Sequence, residues 1–261
     1  MTVLLGGAFA VGAVRVLQPG NWFLTQSPGG DTVASMTPWL RIVPDPLGRP
    51  FHVLRSWVAH KNYADVPVRA SKSAEVKLKD TYIQWGVTYT YYWRYVIDPE
   101  WITWPGEENT IIGQIHEING PAGTHRPTFE FHISDGVLIF MHTMTSQTLG
   151  VTVHSCAVVP GQDIEVFVRA HWADGSHVPD AQGLLELFVD GALVWSSYGQ
   201  RNTWDPNPDD NAPYLVAGVY VPEQLSWWTG RDRATYIVGM AVGDASETNE
   251  SMRAHVIGQL R

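Results

Sequence analysis

Three observations predict an all-β sandwich for this chain. Short runs rich in β-branched and aromatic residues recur along most of its length, separated by Gly, Pro, Asn and Asp. Several runs alternate: Phe129, Phe131 and Ile133 against Glu130 and His132, and Ile164, Val166, Val168, Ala170 and Trp172 against Glu165, Arg169 and His171. Such strands bury one face and wet the other. Finally, Ser134-Asp135-Gly136 and Val189-Asp190-Gly191-Ala192 carry tight-turn chemistry, in which Gly tolerates the positive φ of a hairpin. Helical periodicity is nearly absent, so the chain reads as a β-sandwich or jelly roll.

In chain order, strands are expected at 52–59, 74–79, 88–97, 110–118, 128–134, 137–142, 164–172, 184–189, 193–197, 214–221, 236–242 and 252–260. Residues 1–30 are Gly-rich and apolar and close on the turn cluster Ser27-Pro28-Gly29-Gly30-Asp31, which separates an N-terminal arm from a main domain over 31–261. The arm lacks a basic n-region and is too short and Gly-rich to span a membrane; it reads as a strand or an anchoring segment, not a signal peptide. Pro44-Asp45-Pro46 and Asp205-Pro206-Asn207-Pro208 read as loops inside one domain.

Of the 261 residues, 44% are hydrophobic and 16% charged, enough for a substantial core. Twelve Trp, ten Tyr and eight Phe exceed what a core needs, so some rings are expected to line a groove for sugar faces, while most are expected to pack in the core. A formal charge of −9 argues against nucleic acid as partner. The single cysteine, Cys156, allows no internal disulfide, and no His or carboxylate spacing suits a metal, so no cofactor is expected. The acidic loop 205–210 reads as a solvated turn, and Trp227-Trp228 as a sugar platform, an interface or core.

Within the strand expected at 110–118, Gln114 and His116 are two apart and share a face. A carboxamide that donates to a carboxylate, beside an imidazole that takes a proton near neutrality, suits chemistry on an acidic sugar. His132 and His142 are candidates for the same face.

Three segments carry a resemblance. Ser73-Ala74-Glu75-Val76-Lys77, Gln114-Ile115-His116 and Tyr214-Leu215-Val216-Ala217-Gly218-Val219-Tyr220 follow, in order and rough spacing, the Arg-x-Glu-x-Arg, Gln-Ile-His and Tyr-x-Lys-Ala-Gly-x-Tyr strands of the alginate lyase and glucuronan lyase type of polysaccharide lyase. The chain is similar to that family over roughly residues 50–245. The resemblance implies a concanavalin A-like jelly roll and cleavage of an acidic polysaccharide by β-elimination. It gives Gln114, His116 and Tyr220 the catalytic roles, with Gln114 meeting the uronate carboxylate, His116 near the C5 proton and Tyr220 as acid or base. Glu75, Lys77, Tyr214 and Arg94 are the substrate-binding candidates. Two positions depart from the pattern, Ser73 for the first Arg and Val216 for the Lys. A Tyr base needs positive charge nearby to fall below its reference pKa of about 10. Arg55, Arg69 and Arg94 are the cations considered in place of the missing Arg; Arg94 either forks onto a carboxylate or snorkels at the surface.

Two functions follow: a lyase, or a non-catalytic carbohydrate-binding or structural protein of a bacteriophage particle (capsid decoration, head fibre or tail component). On either, an extracellular or virion-surface setting is expected, with a homo-oligomer and an acidic polysaccharide as partner, capsid or tail proteins as further partners on the virion reading, and no membrane.

Overall fold

The computed structural model describes residues 14–16, 23–26, 40–58, 72–77, 84–99, 110–116, 127–143, 150–203, 214–221 and 233–260. Side chains within strands are further undescribed at Arg15, 23–26, Val58, Lys72, Ser73, Lys77, Tyr214 and Val221. Along the chain the strands are β1 (Arg15–Val16), β2 (Phe23–Gln26), β3 (Leu40–Pro44), β4 (His52–Val58), β5 (Lys72–Lys77), β6 (Thr88–Ile97), β7 (Thr110–His116) and β8 (Phe129–Ser134). They continue as β9 (Val137–His142), β10 (Val151–Ala157), β11 (Asp163–His171), β12 (Leu184–Val189), β13 (Ala192–Tyr198), β14 (Tyr214–Val221) and β15 (Arg233–Asp244), before a helix, α1 (Asn249–Gly258).

Two antiparallel sheets face each other as a jelly-roll sandwich. The eight-stranded sheet runs β13-β12-β11-β6-β15-β4-β3 with β1 added beside β15; the seven-stranded sheet runs β10-β9-β8-β7-β14-β5-β2. Both expected hairpins form, with Asp135 and Gly136 at φ 48° and 74° and Asp190 and Gly191 at 49° and 82°. Such two-residue turns match the right-handed twist of the strands they join.

Alternation sends Tyr91, Trp93 and Tyr95 of β6 inward against Phe129, Phe131 and Phe140 of the opposite sheet. Trp93 meets Phe131 edge-on, 5.2 Å between centroids, and Tyr95 meets it at 5.8 Å. The core takes many of the aromatic rings, as expected for most of them: Trp93, Trp172, Tyr91, Tyr92 and Tyr95 are among the largest fully buried side chains. The Trp227-Trp228 pair and the 205–210 loop lie outside the described residues.

The strand expected at 252–260 is a helix. Thr248 caps it, accepting from Ser251 N while the Ser251 hydroxyl answers the Thr248 backbone N–H, a reciprocal box that satisfies two otherwise orphaned donors. Met252 and Val256, four apart, share one helical face and are buried with Tyr92, Phe167 and Ala241 on the outer side of the eight-stranded sheet. Arg253 forks onto Glu165, with Nε 2.7 and 2.8 Å from the two carboxylate oxygens. Of the expected arm, Arg15–Val16 pairs with β15 and Phe23–Gln26 with β5, which ties these segments into the sandwich; the remainder lies outside the described residues, Val14 excepted.

β7 and β14 are both bulged. Register slips between Ile111 and Gly113 against β8, and between Ala217 and Tyr220 against β7. A bulge strands backbone groups that the ladder would have paired, and core side chains of the eight-stranded sheet meet them. Tyr95 OH donates to the Ile112 carbonyl (2.8 Å) and Trp93 Nε1 to the Val216 carbonyl (3.0 Å). The Ser56 hydroxyl, fully buried on β4, donates to the Ala74 carbonyl and accepts from Val219 N at 2.9 Å. Ser56→Ala therefore strands a buried donor and a buried acceptor, and should lower unfolding free energy by about 2–4 kcal/mol in denaturant titration, far more than the exposed Ser196→Ala.

Candidate active site

The outer face of the seven-stranded sheet is where the three motif strands meet. β14 lies between β7 and β5, and registry fixes which residues are neighbours. On one row Val216 stands opposite Gln114 on β7 and opposite Lys77 on β5. Gln114 is in turn opposite Glu130 on β8. A second row runs Ser73, Tyr220, Ile111, His132, and a third pairs Tyr214 with His116. Gln114 thus sits on the row between those of His116 and Tyr220.

Gln114 does more than project. Its Nε2 donates to Oε1 of Glu75, two strands away across β14. The residue of β14 directly opposite Glu75 is Gly218, so no side chain stands between them. That glycine has φ +127°, and a Cβ there would lie 2.2 Å from the Ala74 carbonyl oxygen. The bulge, the close approach and the open lane over it are one local feature that only glycine supplies. Gln114 and Glu75 are 7% and 3% exposed, so this is a buried pair and not two polar groups on a wet face.

Burial pushes the Glu75 carboxyl up to about 8, against the pull of the Gln114 hydrogen bond that favours the charged form. Glu75 is therefore mostly protonated at neutral pH, an uncharged prop for the carboxamide. His132, 2% exposed on the same face, is held down to about 4 by burial and is neutral. Its Nδ1 lies 3.9 Å from Glu130 Oε1. His116 and Tyr220 are both half-buried.

The structure separates other candidates. Arg94 is on β6 of the opposite sheet, and alternation turns it to the side that carries α1. There its Nε and Nη2 donate to Asp163 at 3.0 and 2.7 Å, with Glu165 3.6 Å from Nη1. It is neither at this site nor a loose surface cation. Arg55 is likewise on the eight-stranded sheet, stacked over Trp57 at 5.3 Å, and Arg69 lies outside the described residues. His142 follows Leu138 and Phe140 on the inward side of β9; its Nε2 donates to the Asn202 carbonyl at 2.8 Å. Lys77 and Tyr214 hold strand positions on the site face, and their side chains are not described.

Glu130 and Ile111 also belong to the face. Alternation gave Glu130 a wet side, but only strand order and register place it against Gln114. Among the described residues no group of three or more His, Cys, Asp or Glu could hold a metal ion.

The family model described as "polysaccharide lyase" matches residues 55–241. Among solved structures, the chain is similar to an endo-β-1,4-glucuronan lyase from the fungus Trichoderma reesei, with 18% identity, a TM-score of 0.67, and coverage of 90% of this chain and 96% of that one. It is also similar to a family-7 alginate lyase (16% identity, TM-score 0.57, 86% and 94% covered) and to an alginate lyase from Pseudomonas aeruginosa (16%, 0.53, 86% and 98%). No curated protein matches.

The Glu75 carboxyl binds its proton more tightly folded than unfolded. Its contribution is whole below its unfolded value of 4.5 and is lost as pH rises toward the folded value of about 8. Thermal unfolding should therefore show a loss of melting temperature between pH 5 and pH 8.5 that Glu75→Gln abolishes.

Proposed function

Because the chain belongs to the polysaccharide lyase family, we propose that it cleaves a uronate-containing polysaccharide by β-elimination on the outer face of the seven-stranded sheet. The observation that carries this is the buried Gln114–Glu75 pair, which fixes a carboxamide donor on the row between those of a His and a Tyr. The solved relatives are named for glucuronan and alginate, both polymers of uronic acids.

β-Elimination removes the proton on C5, beside the carboxyl group, and expels the sugar oxygen on C4. The barrier is high because charge builds on the carboxyl oxygens as the proton leaves. A positioned donor at those oxygens lowers it by about 3–4 kcal/mol where measured in comparable sites. Gln114 fills that role, held by Glu75 so that it need not reorient during the reaction. His116, whose imidazole nitrogen can accept a proton, is the base for C5. Tyr220 delivers a proton to the leaving oxygen; its neighbour on β5 is Ser73, which brings no cation to favour a phenolate. A polymer of this kind meets the protein outside the cell, the setting we propose for it.

Incubation with alginate and with glucuronan should raise absorbance in the unsaturated-uronate band. Tyr220→Phe and His116→Ala should each cut the rate by about 10²-fold or more, and Gln114→Ala by about 10²-fold, with folding intact by circular dichroism. Binding of the polymers with no absorbance change would favour a non-catalytic role.

A further inference from the structure

The Gln114–Glu75 pair offers a uronate more than a carboxamide, if the lyase reading above holds. Glu75 projects from β5 onto the outer face of the seven-stranded sheet, with Gly218 opposite it on β14 and Gln26 opposite it on β2. Gln114 Nε2 donates to its Oε1. That bond uses one of the two N–H groups of the carboxamide and one of the two oxygens of the carboxyl. Gln114 and Glu75 keep 7% and 3% of their surface, so the pair lies at the floor of the face and not sealed beneath it. A carboxylate that accepts the second N–H of Gln114 therefore arrives beside the carboxyl group that holds Gln114 in place.

The protonation state of that carboxyl decides what it does there. Burial pushes it up to about 8, so at neutral pH it carries its proton. A protonated carboxyl donates as well as accepts, and one held neutral in an apolar setting can meet negative charge as it develops on a reacting oxygen.

We propose that Glu75 is a further catalytic residue, whose carboxyl O–H donates to one oxygen of the uronate carboxylate while Gln114 Nε2–H donates to the other. His116 takes the C5 proton, and the electron pair it leaves spreads onto those two oxygens. The Glu75 proton shifts toward the oxygen it bonds and returns as the C4=C5 bond forms, the C4–O bond breaks and the Tyr220 proton passes to the leaving oxygen. Glu75 ends the step protonated, as it began. An O–H···O⁻ bond is about twice as strong as a neutral one, and it strengthens as charge builds, which is the condition for lowering a barrier and not merely tightening binding.

This role differs in sign from that of a prop. A Glu75 that only held Gln114 would hold it better once ionised, because a carboxylate is the stronger acceptor. A donor fails on ionisation and then repels the substrate carboxylate.

The test measures kcat and KM on alginate and glucuronan from pH 6 to 9.5 for the wild type and Glu75→Gln, read in the unsaturated-uronate band with protein-free blanks subtracted. Tyr214 and Tyr220 on β14, His116 on β7, Glu130 and His132 on β8 and Lys77 on β5 hold the other ionisable strand positions of this face, and Glu75→Gln leaves all of them in place. Wild-type kcat/KM should fall about tenfold per pH unit above about pH 8. Glu75→Gln, whose amide is a weaker donor, should be about tenfold slower at pH 6.5 and should lack that fall. A second reading needs no turnover: calorimetric titration of Tyr220→Phe with a uronate tetrasaccharide at pH 8, in two buffers of different ionisation enthalpy, should show uptake of up to about half a proton, because a bound carboxylate favours protonated Glu75. Adding Glu75→Gln should abolish the uptake; should that variant not fold, the wild-type profile and the Tyr220→Phe uptake carry the test. Turnover with a level wild-type profile, the same fall in both proteins, or binding without proton uptake overturns the donor role and leaves the lyase reading standing. Turnover of neither polymer overturns the lyase reading and this inference with it.

Discussion

The Ser56 hydroxyl is the contact on which the site depends. It stands on one sheet and bonds two backbone groups of the other, the Ala74 carbonyl of β5 and the Val219 amide of β14. Those groups flank the irregular stretch of β14 that contains Gly218. Without a partner from across the core, a bulged strand would carry a buried unsatisfied amide, and the regular ladder would be the cheaper arrangement. Ser56, together with Tyr95 and Trp93, makes the bulged register affordable. The ladder of β14 with β5 stays regular, setting Tyr220 opposite Ser73 and Gly218 opposite Glu75, while the slip against β7 brings Tyr220 opposite Ile111 and keeps Gln114 opposite Val216.

The two outer faces of the sandwich differ in how they handle charge. On the α1 side, Arg49, Arg94 and Arg253 engage Asp45, Asp163 and Glu165 in a chain of ion pairs that seats the helix and the 45–51 turn. On the other side, the central polar pair consists of an amide and a carboxyl that burial keeps protonated. A neutral pair in that place costs little desolvation and holds its geometry through hydrogen bonding. It suits a donor that must be fixed before the substrate arrives.

Much of this was legible in the sequence, for identifiable reasons. Period-two alternation gave the faces of β8 and β11, and Asp-Gly pairs gave both hairpins, since these signals are local. Gln114 and His116 share a face on the same grounds. What failed was non-local. Arg94 lies on an aromatic strand and looked available, but strand order put β6 in the opposite sheet, where Asp163 and Glu165 hold it. His142 shares the polar character of His132, yet its position after Phe140 turns it inward. Residues 252–260 contain enough aliphatics to read as a strand; the deciding signal was the Thr248–Ser251 cap, a short motif that periodicity does not register. Ser56 carried no signal at all, because its worth lies in a bulge two strands and one sheet away.

The central claim is that the acidic polymer lies across the outer face of the seven-stranded sheet with a carboxyl group on Gln114. A crystal structure of the Tyr220→Phe variant soaked with a uronate tetrasaccharide tests this most directly. The account predicts the sugar chain crossing β5, β14, β7 and β8, one carboxyl oxygen within hydrogen-bond distance of Gln114 Nε2, and the Gln114–Glu75 bond retained. A tetrasaccharide bound elsewhere on the sandwich, or one lying on this face with Gln114 turned away from it, would contradict the account.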